Sequence, residues 1–542
     1  MSQTEIHQAS RNTIGDALRR SVRRNPNKEA LLFEDRRWTY AALDIAANRV
    51  AHRLLAIGLK PGDRVAAYGR NSDAYVLLWL GCVRAGLTHV PINYALTEGE
   101  LHYIVEQSAA RALFHDLAIA GHIEQLGPQL PCEWIGTLHG GDTLDILAFA
   151  DAPGCESAPE VSIREEDIAQ LLYTSGTTAA PKGAMMTHRA LMAEYTSTLL
   201  ATEISATDRS LASLPLYHSA QMHVFVMPQL LVGATTIIIQ APQPELCFGL
   251  IAKERITSFF APPTVWIAFL RHPDFDRHDL SSLARGYYGA SIMPVPVLQE
   301  LSRRLPKARL FNCYGQSEIA PLATVLSPED HAERPASAGK PIFNVETRIV
   351  NEQMEDCSPG EMGEIIHRSP QLMTGYWNKP EETAEAFAGG WFHSGDVGYF
   401  DAAGFLYIAD RIKDIINTGG VVVSSREVEE CLYTHPAVSE VAVIGLPDEK
   451  WIEAVVAVVS LKAGQQVDAE ALIAHAKAHI APFKVPKRVF FVESMPRTAS
   501  GKLLKRELRQ QYSTPAPLDQ GPEARKKPNQ EPTAAASAKP LK

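Results

Sequence analysis

Leu171-Leu172-Tyr173-Thr174-Ser175-Gly176-Thr177-Thr178-Ala179-Ala180-Pro181-Lys182-Gly183 is the stretch around which the chain is organised. An apolar run from Ile168 to Tyr173 gives way to hydroxyl residues and glycine, then ends in a lysine. That is the order of a strand emptying into a tight loop. Small side chains let the backbone come close to a ligand, and successive N–H groups in such a turn form a concave anion site. The hydroxyls of Thr174, Ser175, Thr177 and Thr178 add donors, and Lys182 adds a point charge. Phosphate is the guest this chemistry suits; an ordinary Ser/Thr-rich surface loop is the competing reading. No Gly-Lys-Ser/Thr follows, which disfavours a P-loop ATPase.

Further motifs follow in order. Leu214-Pro215-Leu216-Tyr217-His218-Ser219 sets an aromatic-histidine pair after a proline, and a packed core histidine is its plain reading. Gly286-Tyr287-Tyr288-Gly289-Ala290-Ser291 reads as a strand and a small-residue turn, a backbone shelf on which an adenine ring can lie. Leu310-Phe311-Asn312-Cys313-Tyr314-Gly315-Gln316-Ser317-Glu318 is an apolar strand ending in Tyr-Gly-x-Ser-Glu. Tyr314 can stack on a purine, Ser317 can donate to a phosphate oxygen, and Glu318 can hold a Mg²⁺ ion that neutralises the phosphates. His393-Ser394-Gly395-Asp396 sets a carboxylate beside glycine, suited to two ribose hydroxyls or to an Asx turn.

Together these motifs resemble the adenylate-forming superfamily: acyl-CoA synthetases, nonribosomal peptide adenylation domains and firefly luciferases. The resemblance runs over roughly Thr13 to Arg509 and is nearest to bacterial fatty-acid-type acyl-CoA ligases. It implies an α/β fold, with a large multi-sheet N-terminal domain over 1–410 and a smaller mobile α+β domain over 411–511; the tail over 512–542, rich in Pro, Ala, Gln and Lys with few large apolar residues, is expected to be disordered. It implies ATP/AMP, Mg²⁺ and coenzyme A as ligands and a small carboxylic acid as substrate. On it, Asn312, Gly315, Gly419 and Gly420 join the nucleotide or CoA site, and His218 lines the path between acyl pocket and cofactor channel. Asp396 takes the ribose, Arg411 reaches ribose or phosphate, Lys413 is the hinge, and Lys502 is the mobile lysine that meets the α-phosphate. Amino-acid-activating members of that superfamily place a carboxylate near the segment Gln221 to Val226 to pair the substrate ammonium; this segment contains no aspartate, so the resemblance implies a plain acid over an amino acid, since a buried unpaired ammonium is costly.

The bulk numbers agree. At 542 residues more than one core is expected. Net charge is −10, which argues against nucleic acid as partner. Seven scattered cysteines without paired spacing read as free or buried thiols of a reducing, cytoplasmic compartment. The most apolar long window, Val224 to Ile239, is broken by Pro228 and Gly233 and reads as core, not as a membrane span. A homo-oligomer is admissible.

Local expectations are a helix over Thr13 to Arg24, a helix over Tyr40 to Ile57, a hairpin with Trp38 to Tyr40 as second strand, a surface connection with short elements over Cys132 to Glu165, a capping box at Ser424 to Glu427, and a solvated basic turn at Pro496 to Arg506.

Two positions depart from the superfamily pattern. Ala179 stands where a permissive residue is usual, and Val421-Val422 follow Gly419-Gly420 where the pattern carries Glu-Asn. They leave room for an enzyme of the thioester-forming half-reaction alone, although Lys502 and Glu318 are retained. A luciferase-like oxygenase and a non-catalytic adenylate-binding protein are the remaining alternatives.

Overall fold

The computed structural model describes residues 9–513 except 142, 175–179, 291–292, 412–413, 419–420, 449–450 and 498–502; the side chains of Arg411, Val421 and Val422 also lie outside it. The tail expected to be disordered, apart from 512 and 513, lies outside the described residues.

Among the described residues, four sheets carry the fold. The largest has nine strands. Six of them, from Glu29–Phe33 across to Arg309–Gly315, run parallel, and antiparallel strands close both edges. A six-stranded sheet runs from Trp134–Thr137 to Lys182–Thr187, again parallel except for its last pair. Helices packed against these sheets explain the apolar runs. Asp73–Ala85 is buried along its whole length, so it is apolar on nearly all sides instead of amphipathic. Glu346–Val350, Gly363–Arg368, Phe392–Phe400 and Leu406–Arg411 form a smaller antiparallel sheet.

From Ile416 onward the chain builds its own five-stranded sheet and its own core around Val428, Leu432, Val443, Val455, Ala457 and Leu472. Among the described residues no helix is long and apolar enough to cross a membrane.

The local expectations hold with adjustments. The helix expected over Thr13 to Arg24 is Ile14–Arg24, capped by Thr13 with Asp16 completing a capping box. Tyr40 opens the helix Tyr40–Ala56 and is not part of the hairpin strand, because Thr39 caps that helix through Ala42 N. Cys132 to Glu165 carries the expected short elements, the strand Trp134–Thr137 at the edge of the six-stranded sheet and the helix Ile146–Asp151, but it is not wholly at the surface, since Leu138, Ile146 and Phe149 are core residues. Ser424 caps Ser425–Tyr433 through Glu427 N, but the reciprocal arm is absent because the Glu427 carboxylate pairs with Lys484. Lys505, expected in a solvated basic turn, opens the helix Lys505–Ser513 and pairs with Glu429 at 2.8 Å. Burial forces that pairing, since an isolated ammonium would be too costly there.

Candidate active site

In open α/β sheets, ligands bind beyond the carboxyl ends of parallel strands. Here Ser258–Phe260, Arg285–Gly289 and Arg309–Gly315 end side by side in the large sheet, and the residues after them carry the candidate groups. Gly289 is required by space: a Cβ there would lie 2.1 Å from the Cys313 carbonyl oxygen. Gly315 is equally tight, with the Pro321 carbonyl oxygen 1.9 Å from the place of a Cβ. Ala290 follows in the left-handed region at φ 62°, a conformation that costs a non-glycine residue about 1–2 kcal/mol. The shelf read from Gly289 and Ala290 is therefore a sharp turn at a strand end; Ser291 lies outside the described residues.

Glu318 sits in the short turn Ser317–Ile319 and is buried. Its Oε1 accepts the Tyr376 hydroxyl at 3.0 Å. Lys182 Nζ lies 4.4 Å from the centroid of the same Tyr376 ring, a cation–π contact. Thr174 pairs directly with Lys182 across the antiparallel strands, so the two ends of the hydroxyl-rich loop are fixed. The backbone of 374–377 runs beside Lys182–Thr187, with Met185 N donating to Gly375 O and Trp377 N to Gly183 O. Met373 N donates to the Glu318 carbonyl, so one segment ties the loop's lysine to the carboxylate. Burial, and next the charge of Glu318, push the Tyr376 phenol far up, which keeps it a donor. Glu318 is a hard oxygen donor of the kind Mg²⁺ takes together with phosphates.

Tyr314 and Asp396 come from different sheets and meet. The Tyr314 hydroxyl donates to Asp396 Oδ2 at 2.8 Å. Asp396 N donates to Ser394 Oγ at 3.0 Å, which fixes the backbone that carries the carboxylate. The backbone of Arg411 pairs with Asp396 in the neighbouring strand. Ser317 Oγ lies 2.9 Å from Ser219 Oγ, joining the Glu318 turn to the His218 segment. Asn312 Nδ2 donates to the Ser337 carbonyl at 2.8 Å and so supports the strand end from within the protein.

His218 lines a narrow slot with Leu214, Pro215, Gln221, Phe260 and Ala290. Its Nδ1 accepts from Ala220 N at 3.3 Å. The segment Ala220–Val226 is a π-helix, a wide turn often found at functional sites. Inside it, His223 is held between Tyr195 and Gln170, with its two ring nitrogens 2.8 and 2.7 Å from their side chains. Gln170 then reaches His89 Nδ1 at 3.0 Å. Burial holds the His89 and His223 pKa values down to about 3, so both rings are neutral. Gln170 belongs to Ile168–Thr174, the strand that feeds the hydroxyl-rich loop, so this relay braces the loop's base.

Sequence reasoning missed Tyr376, Ser219 and Gln170. Tyr376 stands in Gly375-Tyr376-Trp377, and nothing local marks its hydroxyl as the partner of Glu318. Ser175, Gly176, Thr177, Thr178, Ser291, Lys413, Gly419, Gly420 and Lys502 lie outside the described residues, as does the Arg411 side chain. Thr174, Lys182, His218, Gly289, Ala290, Asn312, Tyr314, Gly315, Ser317, Glu318 and Asp396 are described, and the contacts above connect the nine-stranded, six-stranded and smaller antiparallel sheets around one set of strand ends.

Known proteins share this architecture. A model of the AMP-binding enzyme family matches residues 18–377, and one of the AMP-binding enzyme C-terminal domain matches residues 427–502. A feruloyl-CoA synthase of Amycolatopsis sp. is 37% identical over 494 residues, covering 91% of this chain and 98% of its own. A long-chain-fatty-acid–CoA ligase of Bacillus subtilis is 34% identical over 533 residues, covering 92% and 94%. The crystal structure of the anthranilate CoA ligase AuaEII in complex with anthranoyl-AMP superposes with a TM-score of 0.87 at 28% identity, covering 92% of this chain and 97% of that one.

Proposed function

The chain belongs to the AMP-binding enzyme family and is an AMP-forming acid–thiol ligase, and on that premise we propose that it activates a hydrophobic carboxylic acid as an acyl-adenylate and passes the acyl group to CoA. The observation that carries this reading is the buried Glu318 carboxylate tied through Tyr376 to Lys182, beside the Tyr314–Asp396 pair.

In the first step a carboxylate oxygen of the acid attacks the α-phosphorus of ATP. The bond to the β-phosphate oxygen breaks and pyrophosphate leaves. Thr174, Ser175, Gly176, Thr177 and Thr178, with Lys182, hold the phosphates, and Tyr314 and Asp396 hold the nucleoside. Glu318 would hold Mg²⁺, which when bound would supply charge neutralisation on the phosphate oxygens. Lys502 balances charge at the α-phosphate as the adenylate forms. Such chemistry is mainly positioning and electrostatics.

In the second step the CoA sulfur attacks the acyl carbonyl, its proton goes to solvent, and AMP departs. The residues 411–511 are proposed to turn about Lys413 relative to 1–410, withdrawing Lys502 and presenting Gly419 and Gly420 to the thiol's path. The slot of Leu214, Pro215, His218 and Phe260 takes the apolar part of the acid. The stacked rings of Phe225 and Phe260, 4.4 Å apart, stiffen its wall.

The test is CoA-dependent AMP release across a panel of acids. Ferulic acid and a long-chain fatty acid are the first probes, with malonic acid as a polar control. Turnover with an apolar acid supports the proposal; turnover confined to the polar control overturns it.

A further inference from the structure

The C-terminal lobe carries a cluster that this reaction does not use. Cys431 lies near the end of the helix Ser425–Tyr433, while His475 and His479 stand one turn apart on the helix Ala469–His479. Cys431 Sγ and one ring nitrogen of each histidine lie within 4.8 Å of one another. The spacing is held by packing, since Val428, Leu432, Leu472 and Ala476 of the same two helices share one core. Residues four apart on a helix present their side chains to the same side. Cys431 is buried, His475 half-buried and His479 exposed, so the cluster opens to solvent on one side.

We propose that Cys431, His475 and His479 form a binding site for one divalent transition ion, zinc by the chemistry of its donors. A thiolate and two imidazoles suit zinc and exclude the hard ions Mg²⁺ and Ca²⁺, which take oxygen. Tetrahedral zinc at ordinary bond lengths sets such donors about 3.3–3.6 Å apart. Closing from the observed spacing takes about 1 Å, which rotation of the exposed His479 ring supplies. The outer contacts suit ligation too. His479 Nδ1 lies 2.7 Å from the His475 carbonyl oxygen and donates to it, leaving Nε2 with the lone pair. His475 Nε2 lies 2.7 Å from Thr434 Oγ1, whose own hydroxyl is turned to the Cys431 carbonyl at 2.6 Å. Metal-binding histidines are commonly oriented by such a bond from the other ring nitrogen. On binding, the Cys431 thiol proton leaves to solvent as the sulfur–metal bond forms. The ion then links two helices of the lobe, and binding free energy becomes stability.

The test uses the full chain without a histidine tag, stripped with a chelator and titrated with Zn²⁺ against a chromophoric competitor, with Co²⁺ in parallel. The expected result is one tight equivalent, a thiolate-to-cobalt charge-transfer band, and a Zn²⁺-dependent rise in the unfolding temperature. Cys431→Ser removes the band. His479→Ala, an exposed position at a helix end that leaves folding intact, weakens Zn²⁺ binding by about a hundredfold or more, beyond the loss of an outer partner. Absence of the band in the unsubstituted chain overturns the proposal, as does Zn²⁺ binding of undiminished strength in His479→Ala and Cys431→Ser.

Discussion

The hydroxyl of Tyr376 donates to the Oε1 of Glu318 at 3.0 Å, across 58 residues of sequence. With Lys182 held 4.4 Å from the centroid of the same ring, one aromatic side chain carries a cation on its face and a carboxylate at its hydroxyl. The cation belongs to the six-stranded sheet and the carboxylate to the turn after Arg309–Gly315, so the phenol couples the two.

Tyr376→Phe keeps the ring under Lys182 and deletes only the donor. A hydrogen bond to a charged group contributes about 1.5–3 kcal/mol, so kcat/KM for ATP should fall about 10- to 100-fold, with a higher Mg²⁺ requirement. Glu318→Gln should cost more at every Mg²⁺ concentration. Initial rates of AMP release against Mg²⁺ check both.

Tyr314→Phe releases the Asp396 carboxylate from its 2.8 Å partner. The expected result is a rise of about tenfold in KM for ATP with an unchanged KM for the acid, since about 1.4 kcal/mol is a factor of ten. Substrate titrations with each component in turn measure the split.

Stability should fall with acid before the carboxylates titrate. Burial lowers the pKa of His89 and His223 to about 3, and of His188 and His367 to about 4, from 6.5. The unfolded chain takes up protons below 6.5 while these native rings do not, so the stability they contribute is present above 6.5 and lost as pH falls towards 3–4. At pH 5 each ring costs about 2 kcal/mol. Urea unfolding midpoints at about pH 8, 6.5 and 5 measure the decline.

Glu194 has the opposite sign. Burial raises its pKa well above 4.5, against the bonds from Thr198, Leu322 N and Gln371. The unfolded carboxyl ionises above 4.5 while the native one keeps its proton, so stability is lost as pH rises. Glu194→Gln should remove that slope. Its unfolding free energy, relative to the unsubstituted chain, should climb by up to about 1.4 kcal/mol per pH unit above about 4.5.

Much of this was legible because strand ends leave local marks. The apolar run into Thr174 and the Tyr-Gly-x-Ser-Glu at Glu318 show where strands stop and small residues begin, and Gly289 and Gly315 follow from close backbone approach. Partnerships across sheets leave no such mark. Tyr376 finds Glu318, and His223 finds Gln170, only when the sheets stack. Lys505 read as solvated because its partner Glu429 lies in another helix, and the Ser424 cap read as a full box because the claim of Lys484 on Glu427 is tertiary. The π-helix at Ala220–Val226 has no period that its sequence announces.

Adenylation of the acid before any thiol arrives, on the surface shared by Lys182, Glu318, Tyr314 and Asp396, is the central claim. Acid-dependent exchange of labelled pyrophosphate into ATP, measured with CoA left out, tests it most directly. Robust exchange with an apolar acid, abolished by Glu318→Gln and Lys502→Ala, is the expected result; exchange that appears only when CoA is added, or that survives both substitutions, would contradict it.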